Sequence, residues 1–307
     1  MQPGEDLLIH IGYPKSGSTY LQDVIFSRPD VRLIKQPDIH ALAGAAPCEP
    51  DAFREALTGP AQDPAIGSAL TVLSQEKLSG NLDGANPGTP WRMADRLHAA
   101  YPDARILVVT RNQVEYTLSL YCWRVIQRGL ECREIDRYLE DLFLPQLKKK
   151  LCYHLLIDHY VGLFGADRVK VLPFELVTQD GPRFMRELAS FTGLPLDAAP
   201  PDKRVNMTLR SVDLVNYCRR ANRFLALPVK LVGPLLPKRL HRRFAQKIIG
   251  FKRRIILPMA TRRTQDCQNA ISLPDKWEGV YRDAFAASNR ELQRLCGVDL
   301  GALGYAN

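Results

Sequence analysis

Residues 11 to 22 read IGYPKSGSTYLQ, and the reading of this stretch decides the fold. Before it, the apolar run LLIHIG (7 to 12) has the composition of a buried strand; after it, residues 18 to 27 read as a helix. Between them Gly12 and Gly17 have the spacing of a Walker A loop, G-x-x-x-x-G-K-[ST], in which the lysine follows the second glycine and reaches the β and γ phosphates. Here Ser18 takes that place and the lysine is Lys15. A strand, a Gly/Pro/Ser loop and a helix start still gather several backbone N–H groups at one point. Ser16, Gly17, Ser18 and Thr19 are therefore candidates to cradle a phosphate. The competing reading is an ordinary turn between strand and helix.

Outward from this loop, residues 1 to 195 alternate short β-branched runs with longer helical patterns, as βαβ units on a parallel sheet do. Five strands are expected, at 7 to 12, 31 to 35, 69 to 74, 105 to 110 and 168 to 174. Several are nearly continuous apolar runs, the pattern of strands covered on both faces. Helices are expected at 18 to 27, 91 to 101, 113 to 128, 134 to 164 in one or two pieces, and 180 to 193, with loops at 43 to 64 and 81 to 90. The fold class is α/β: a three-layer, P-loop-like fold on a five-stranded parallel sheet. Residues 1 to 203 form its core, and 204 to 307 a basic, helical C-terminal part completing the same domain.

A second anion site is legible after the fourth strand, in RILVVTRNQVEYTLSLYCWR (105 to 124). Arg111 stands at the C-terminal end of that strand, where ligands collect in open α/β sheets, and Ser119 follows about two helical turns later. An arginine fork with a hydroxyl suits a phosphate. A strand-end salt bridge and a solvated serine are the plain alternative.

Together these residues resemble the sulfotransferases that use 3′-phosphoadenosine 5′-phosphosulfate (PAPS). The 5′-phosphosulfate loop of that family, P-K-[ST]-G-[ST]-[TS]-[WYFS]-L, is matched by Pro14 to Leu21. Its 3′-phosphate motif is matched by Arg111, Asn112 and Ser119. Similarity continues more loosely through VLPFELV (171 to 177) and the last helix to Tyr305. The resemblance implies PAPS as co-substrate and no metal, with Lys15 neutralising the sulfuryl bridge. Tyr20, where relatives carry another aromatic, stacks on the adenine or belongs to the core. The K-T-H-L-P type strand end of small-molecule members is missing; LSQEKLSG (73 to 80) is instead similar to the E-K-[ST] segment of carbohydrate sulfotransferases. That similarity makes Glu76 the candidate base, with Lys77 beside it, and His10 and His40 the competitors. A solvated Glu-Lys pair is the bland reading.

The chain has 307 residues, 46% hydrophobic and 24% charged, enough for a sizeable globular core. Its seven cysteines are scattered and include no C-x-x-C pair, which argues against a disulfide framework or a zinc site and favours a reducing cytoplasm. The N-terminus lacks a basic signal-peptide start, and no apolar run is long enough to span a bilayer. Net charge is +9, yet the stretch between Asp213 and Asp266 holds fourteen Lys or Arg and no acid, so the remainder carries −5. Within it Leu240, Phe244, Ile248, Phe251 and Ile255 fall on one helical stripe, interrupted by Ile249, Ile256 and Gly250. Three readings follow for residues 214 to 265: an anionic membrane surface on the inner face, a stripe packed on the core, or a polyanionic acceptor. No nucleic-acid partner is expected.

The function expected is sulfation of a hydroxyl on a carbohydrate or lipid-linked acceptor. The alternatives are a P-loop-type nucleotide kinase and a non-catalytic, membrane-associated nucleotide-binding protein.

Overall fold

The computed structural model describes residues 6–35, 70–80, 89–142, 147–197, 211–264 and 269–306. Five parallel strands, β1 (Leu7–Gly12), β2 (Val31–Lys35), β3 (Leu70–Gln75), β4 (Arg105–Thr110) and β5 (Val169–Pro173), form one sheet in the order β2-β3-β1-β4-β5. All five expected strands are present, β1, β2 and β4 with the expected limits. Every residue of β1 and β3 is buried, as is all of β4 after Arg105. A strand covered on both faces needs apolar side chains at odd and even positions alike, and this made the strands readable.

Besides one-turn helices at Lys148–Leu151 and Leu176–Gln179, the described helices are α1 (Ser18–Tyr20, continued by a π-helical turn Leu21–Ile25), α2 (Thr89–Ala100), α3 (Gln113–Trp123, continued by a π-helical turn Arg124–Arg128), α4 (Ile135–Leu142), α5 (Tyr153–Phe164), α6 (Gly181–Thr192), α7 (Val212–Val232), α8 (Lys238–Phe251), α9 (Leu257–Arg263) and α10 (Asp275–Cys296). The helical stretch expected over 134 to 164 is broken before α5, where Cys152 leaves helical geometry at ψ 72°.

The chain forms two compact units interleaved along the sequence: residues 1–113, 144–206 and 280–307, and residues 114–143 and 207–279. The boundary expected at 203/204 falls outside the described residues. In the first unit the chain runs from β1 out to β2 on one side, then from β3 across β1 to β4 and β5 on the other. Right-handed crossovers therefore put α1 on one face of the sheet and α2 with α5, which pack together, on the opposite face. The direction of winding reverses between β1 and β4, the place where open α/β sheets bind ligands. Register brings the strand ends level there: Ile11 lies opposite Gln75, Gly12 opposite Val109, and Thr110 opposite Pro173.

The second unit is helical. Its interior is closed by polar side chains that cap carbonyls. Asn222 Nδ2 donates to the carbonyls of Val125 (2.9 Å) and Glu131 (2.6 Å), and the fully buried Lys252 Nζ donates to those of Val125 and Gly129. Burial pushes the Lys252 ammonium down to about 8. Of the apolar stripe, Leu240, Phe251 and Ile255 are exposed, while Phe244 and Ile248 are half-buried.

Candidate active site

The loop after β1 is held in a conformation few sequences adopt. Lys15 and Gly17 both have left-handed backbones, at φ 71° and 77°. Alternation of left-handed residues with an intervening turn residue points successive amides inward, making an anion nest. The helical segment that follows has no side-chain cap, so its first amides also lack partners within the helix. Two glycines make this geometry attainable. A Cβ on Gly12 would lie 2.2 Å from Ser18 Oγ, and one on Gly17 would lie 2.0 Å from the Phe174 ring. Ser16 is buried, and its hydroxyl has no hydrogen-bond partner among the described residues. A buried hydroxyl without a partner is costly unless a ligand completes it, so the nest fits a phosphate or sulfate group. Thr19 is half-buried. Tyr20 is buried, its ring edge-on to Phe174 with centroids 6.4 Å apart.

Glu76 opens a 3-10 turn, Glu76–Ser79, directly after β3. The Ser79 hydroxyl donates to the Gly12 carbonyl (3.1 Å), which ties this turn to the end of β1. Burial pushes the Glu76 carboxyl up, while Lys15, the Ser18 hydroxyl and Lys150 lie close enough to pull it partly back. Lys150 escaped the sequence reading because it ends a K-K-K run that looks like a solvated face. In the fold its ammonium donates to the carbonyls of Ser79 and Gly80, both at 3.2 Å, and sits 5.5 Å above the Tyr13 ring.

Of the competing bases, His10 is fully buried inside β1. Its Nδ1 is paired with Ser74 Oγ at 2.8 Å, and Gln22 Nε2 donates to that same oxygen at 2.8 Å. Burial lowers its pKa to about 3, so the ring is neutral. His40 and the Lys77 side chain lie outside what is described.

The Arg111 guanidinium, just past β4, donates to the Lys15 carbonyl, and Tyr153 OH donates to the Arg111 carbonyl (2.7 Å). The next residue is fixed as well. The Asn112 amide donates to Glu175 Oε1 (2.9 Å), the Asn112 side-chain amide to the Gly304 carbonyl (2.5 Å), and Tyr305 OH to Glu175 Oε2 (2.9 Å). Burial raises the Glu175 carboxyl; its donors and Arg111 oppose the rise. Lys15, Ser16, Gly17, Ser18, Glu76 and Arg111 thus gather at the C-terminal edge of three adjacent strands in the first unit. Ser119 lies on α3 in the second unit, fully buried. Sequence reasoning missed Lys150, Tyr153, Glu175 and Tyr305 as parts of this site. Only VLPFELV and Tyr305 carried a faint signal.

Among solved structures, a sulfotransferase from Alicyclobacillus acidocaldarius is similar at 20% identity and a TM-score of 0.43, over 67% of this chain and 87% of that one. The mouse sulfotransferase SULT7A1, solved in complex with PAP, is similar at 15% identity and a TM-score of 0.42, over 64% and 61% of the two chains. No curated protein matches the chain significantly. The sequence profile of the sulfotransferase family matches residues 8–198, a span that takes in all five strands but for Leu7 of β1, with the Lys15 loop, Glu76, Arg111 and Ser119, and the chain therefore belongs to the sulfotransferase family.

Proposed function

We propose that this protein transfers a sulfuryl group from PAPS to a hydroxyl of a carbohydrate or glycolipid acceptor. The observation that supports this most is the convergence at one sheet edge of three things: an anion nest with a lysine inside it, an arginine bonded to that nest, and a buried carboxylate beside the lysine. The acceptor oxygen attacks sulfur in line. The bond from sulfur to the 5′-phosphate oxygen breaks, its electron pair leaves with adenosine 3′,5′-bisphosphate, and the acceptor proton passes to Glu76. Little covalent chemistry falls to the protein, so alignment and charge compensation lower the barrier. Lys15 balances charge growing on the bridging oxygen. The amides and hydroxyls of Ser16 to Thr19 hold the 5′-phosphate, Arg111 and Ser119 take the 3′-phosphate, and Tyr20 borders the adenine. A carboxyl raised by burial but kept near two lysines suits a base that must be ionised yet basic.

The test is transfer of labelled sulfuryl from PAPS to a panel of sugars and glycolipids, run beside thermal-shift binding of adenosine 3′,5′-bisphosphate and ATP. Magnesium-independent stabilisation by the bisphosphate, well above that by ATP, is expected together with label on a hydroxyl acceptor. Equal shifts with the two nucleotides, or a strict magnesium requirement, would overturn the reading.

A further inference from the structure

We propose that helices α7, α8 and α9 present an attachment face for an anionic lipid bilayer. Two features coincide there and nowhere else among the described residues. Of the fourteen Lys and Arg between Asp213 and Asp266, eleven are exposed. Of the eleven large apolar side chains exposed in the described residues, nine lie between Phe224 and Met259. The two sets interleave, and six of the nine apolar side chains have an exposed cation three or four residues away, among them Phe224 with Arg220, Leu227 with Arg223, Leu240 with Arg243 and Phe251 with Arg254. Leu231, in the last turn of α7, and Leu235, in the turn joining α7 to α8, are 72% and 81% exposed between Lys230 and Arg239. That turn is anchored from within: the Leu236 amide donates to the Gly233 carbonyl, and the His241 amide to the Pro237 carbonyl. Leu235 is therefore carried on a formed turn.

Charge complementarity selects the occupant. A second copy docked through the same face would cover the apolar side chains but would set eleven like charges against eleven. A soluble polyanion would answer the cations and leave Phe224, Leu231 and Leu235 in water. An anionic bilayer answers both, with headgroups meeting the Lys and Arg while the leucines reach the acyl boundary. No helix of the described residues is long and apolar enough to cross a membrane, so this face lies on the bilayer.

The experiment is sedimentation of the full chain with vesicles of phosphatidylcholine alone or with about a third phosphatidylglycerol, at low and high salt, alongside retention on an immobilised sulfated polysaccharide. Binding to the anionic vesicles only, reversed by salt, is expected. Neutralising Arg242, Arg243, Arg253 and Arg254 to Gln should lower the partition coefficient by about tenfold or more. The double change Leu231→Ser, Leu235→Ser should lower it too, while leaving retention on the polysaccharide unchanged and the melting temperature intact. Failure of the wild-type chain to sediment at low salt overturns the proposal. So does the double serine variant sedimenting like wild type, which assigns the cations to a soluble polyanion, or a wild-type dimer that the variant dissociates. Vesicle partition is read without turnover, so the result stands apart from the sulfuryl-transfer reading.

Discussion

Replacing Arg111 by alanine separates two jobs that the guanidinium combines. One is internal: it donates to the Lys15 carbonyl and so braces the nest. A hydrogen bond to a charged group is worth about 1.5–3 kcal/mol, and its loss should weaken any ligand that uses the nest, whether bisphosphate or triphosphate. The other is the one proposed above, a fork on the 3′-phosphate that ATP lacks. Two charge-assisted bonds there add about 3–6 kcal/mol, or roughly a hundredfold to ten-thousandfold in affinity. The internal loss cancels in the ratio of the two dissociation constants. Calorimetric titration of wild type and Arg111→Ala with adenosine 3′,5′-bisphosphate and with ATP should therefore show both affinities falling, the bisphosphate's by at least about a hundredfold more. If the two fall by the same factor, Arg111 only shapes the loop and the 3′-phosphate is read elsewhere.

Glu76→Gln should cut turnover by about a hundredfold or more while bisphosphate affinity stays within a few-fold. Wild-type turnover should fall on the acid side at a pH above the ordinary carboxylate value of 4.5, because burial raises this group. For the same reason the folded state holds that proton more tightly than the unfolded chain, so the ionised group costs stability above the raised value. The Gln variant should then melt no lower than wild type at neutral pH; a lower melting temperature contradicts the argument. Gly17→Ala forces a left-handed alanine into the Phe174 ring and should cost about 2–5 kcal/mol in denaturant unfolding, whereas Gly250→Ala, with nothing within 4 Å of its new methyl, should be neutral or stabilising. Lys252 titrates near 8 in the fold against 10.5 in a free chain, so the unfolded state binds the extra proton between those values and stability should rise with pH through that window. Lys252→Met should remove this slope when melting is followed between pH 8 and 10.

Legibility in the sequence tracked whether a signal was local. The strands were readable to within a residue or so because short apolar or β-branched runs mark them, most continuously in β1 and β4, where burial reaches both faces. The Lys15 loop was readable because left-handed and close-approach positions demand glycine at fixed spacing. Lys150 and Lys252 sit in runs of cations that look solvated, and only tertiary packing turns one into the site and the other into the interior. The Glu175 network joins residues 63 and 130 positions apart, and no periodicity marks such a pair. Nothing local marked His10 as buried: its ring pairs with Ser74 of β3, whose hydroxyl also accepts from Gln22 of the π-helical turn. Interleaving of the two units follows from contacts between segments distant in sequence, and a linear cut cannot anticipate it.

The clasp that Gly304 and Tyr305 place on Asn112 and Glu175 has a consequence for how the protein comes into being. The Asn112 side chain meets a carbonyl 192 positions later. On a ribosome moving at about 5–20 residues per second, that partner arrives some ten to forty seconds afterwards. Through that interval the emerging polypeptide can assemble its sheet and its glycine-bearing loop, yet Asn112, just past the end of β4, lacks its Gly304 partner. Chains that stall early would carry the sheet and the loop with the end of β4 only half fixed.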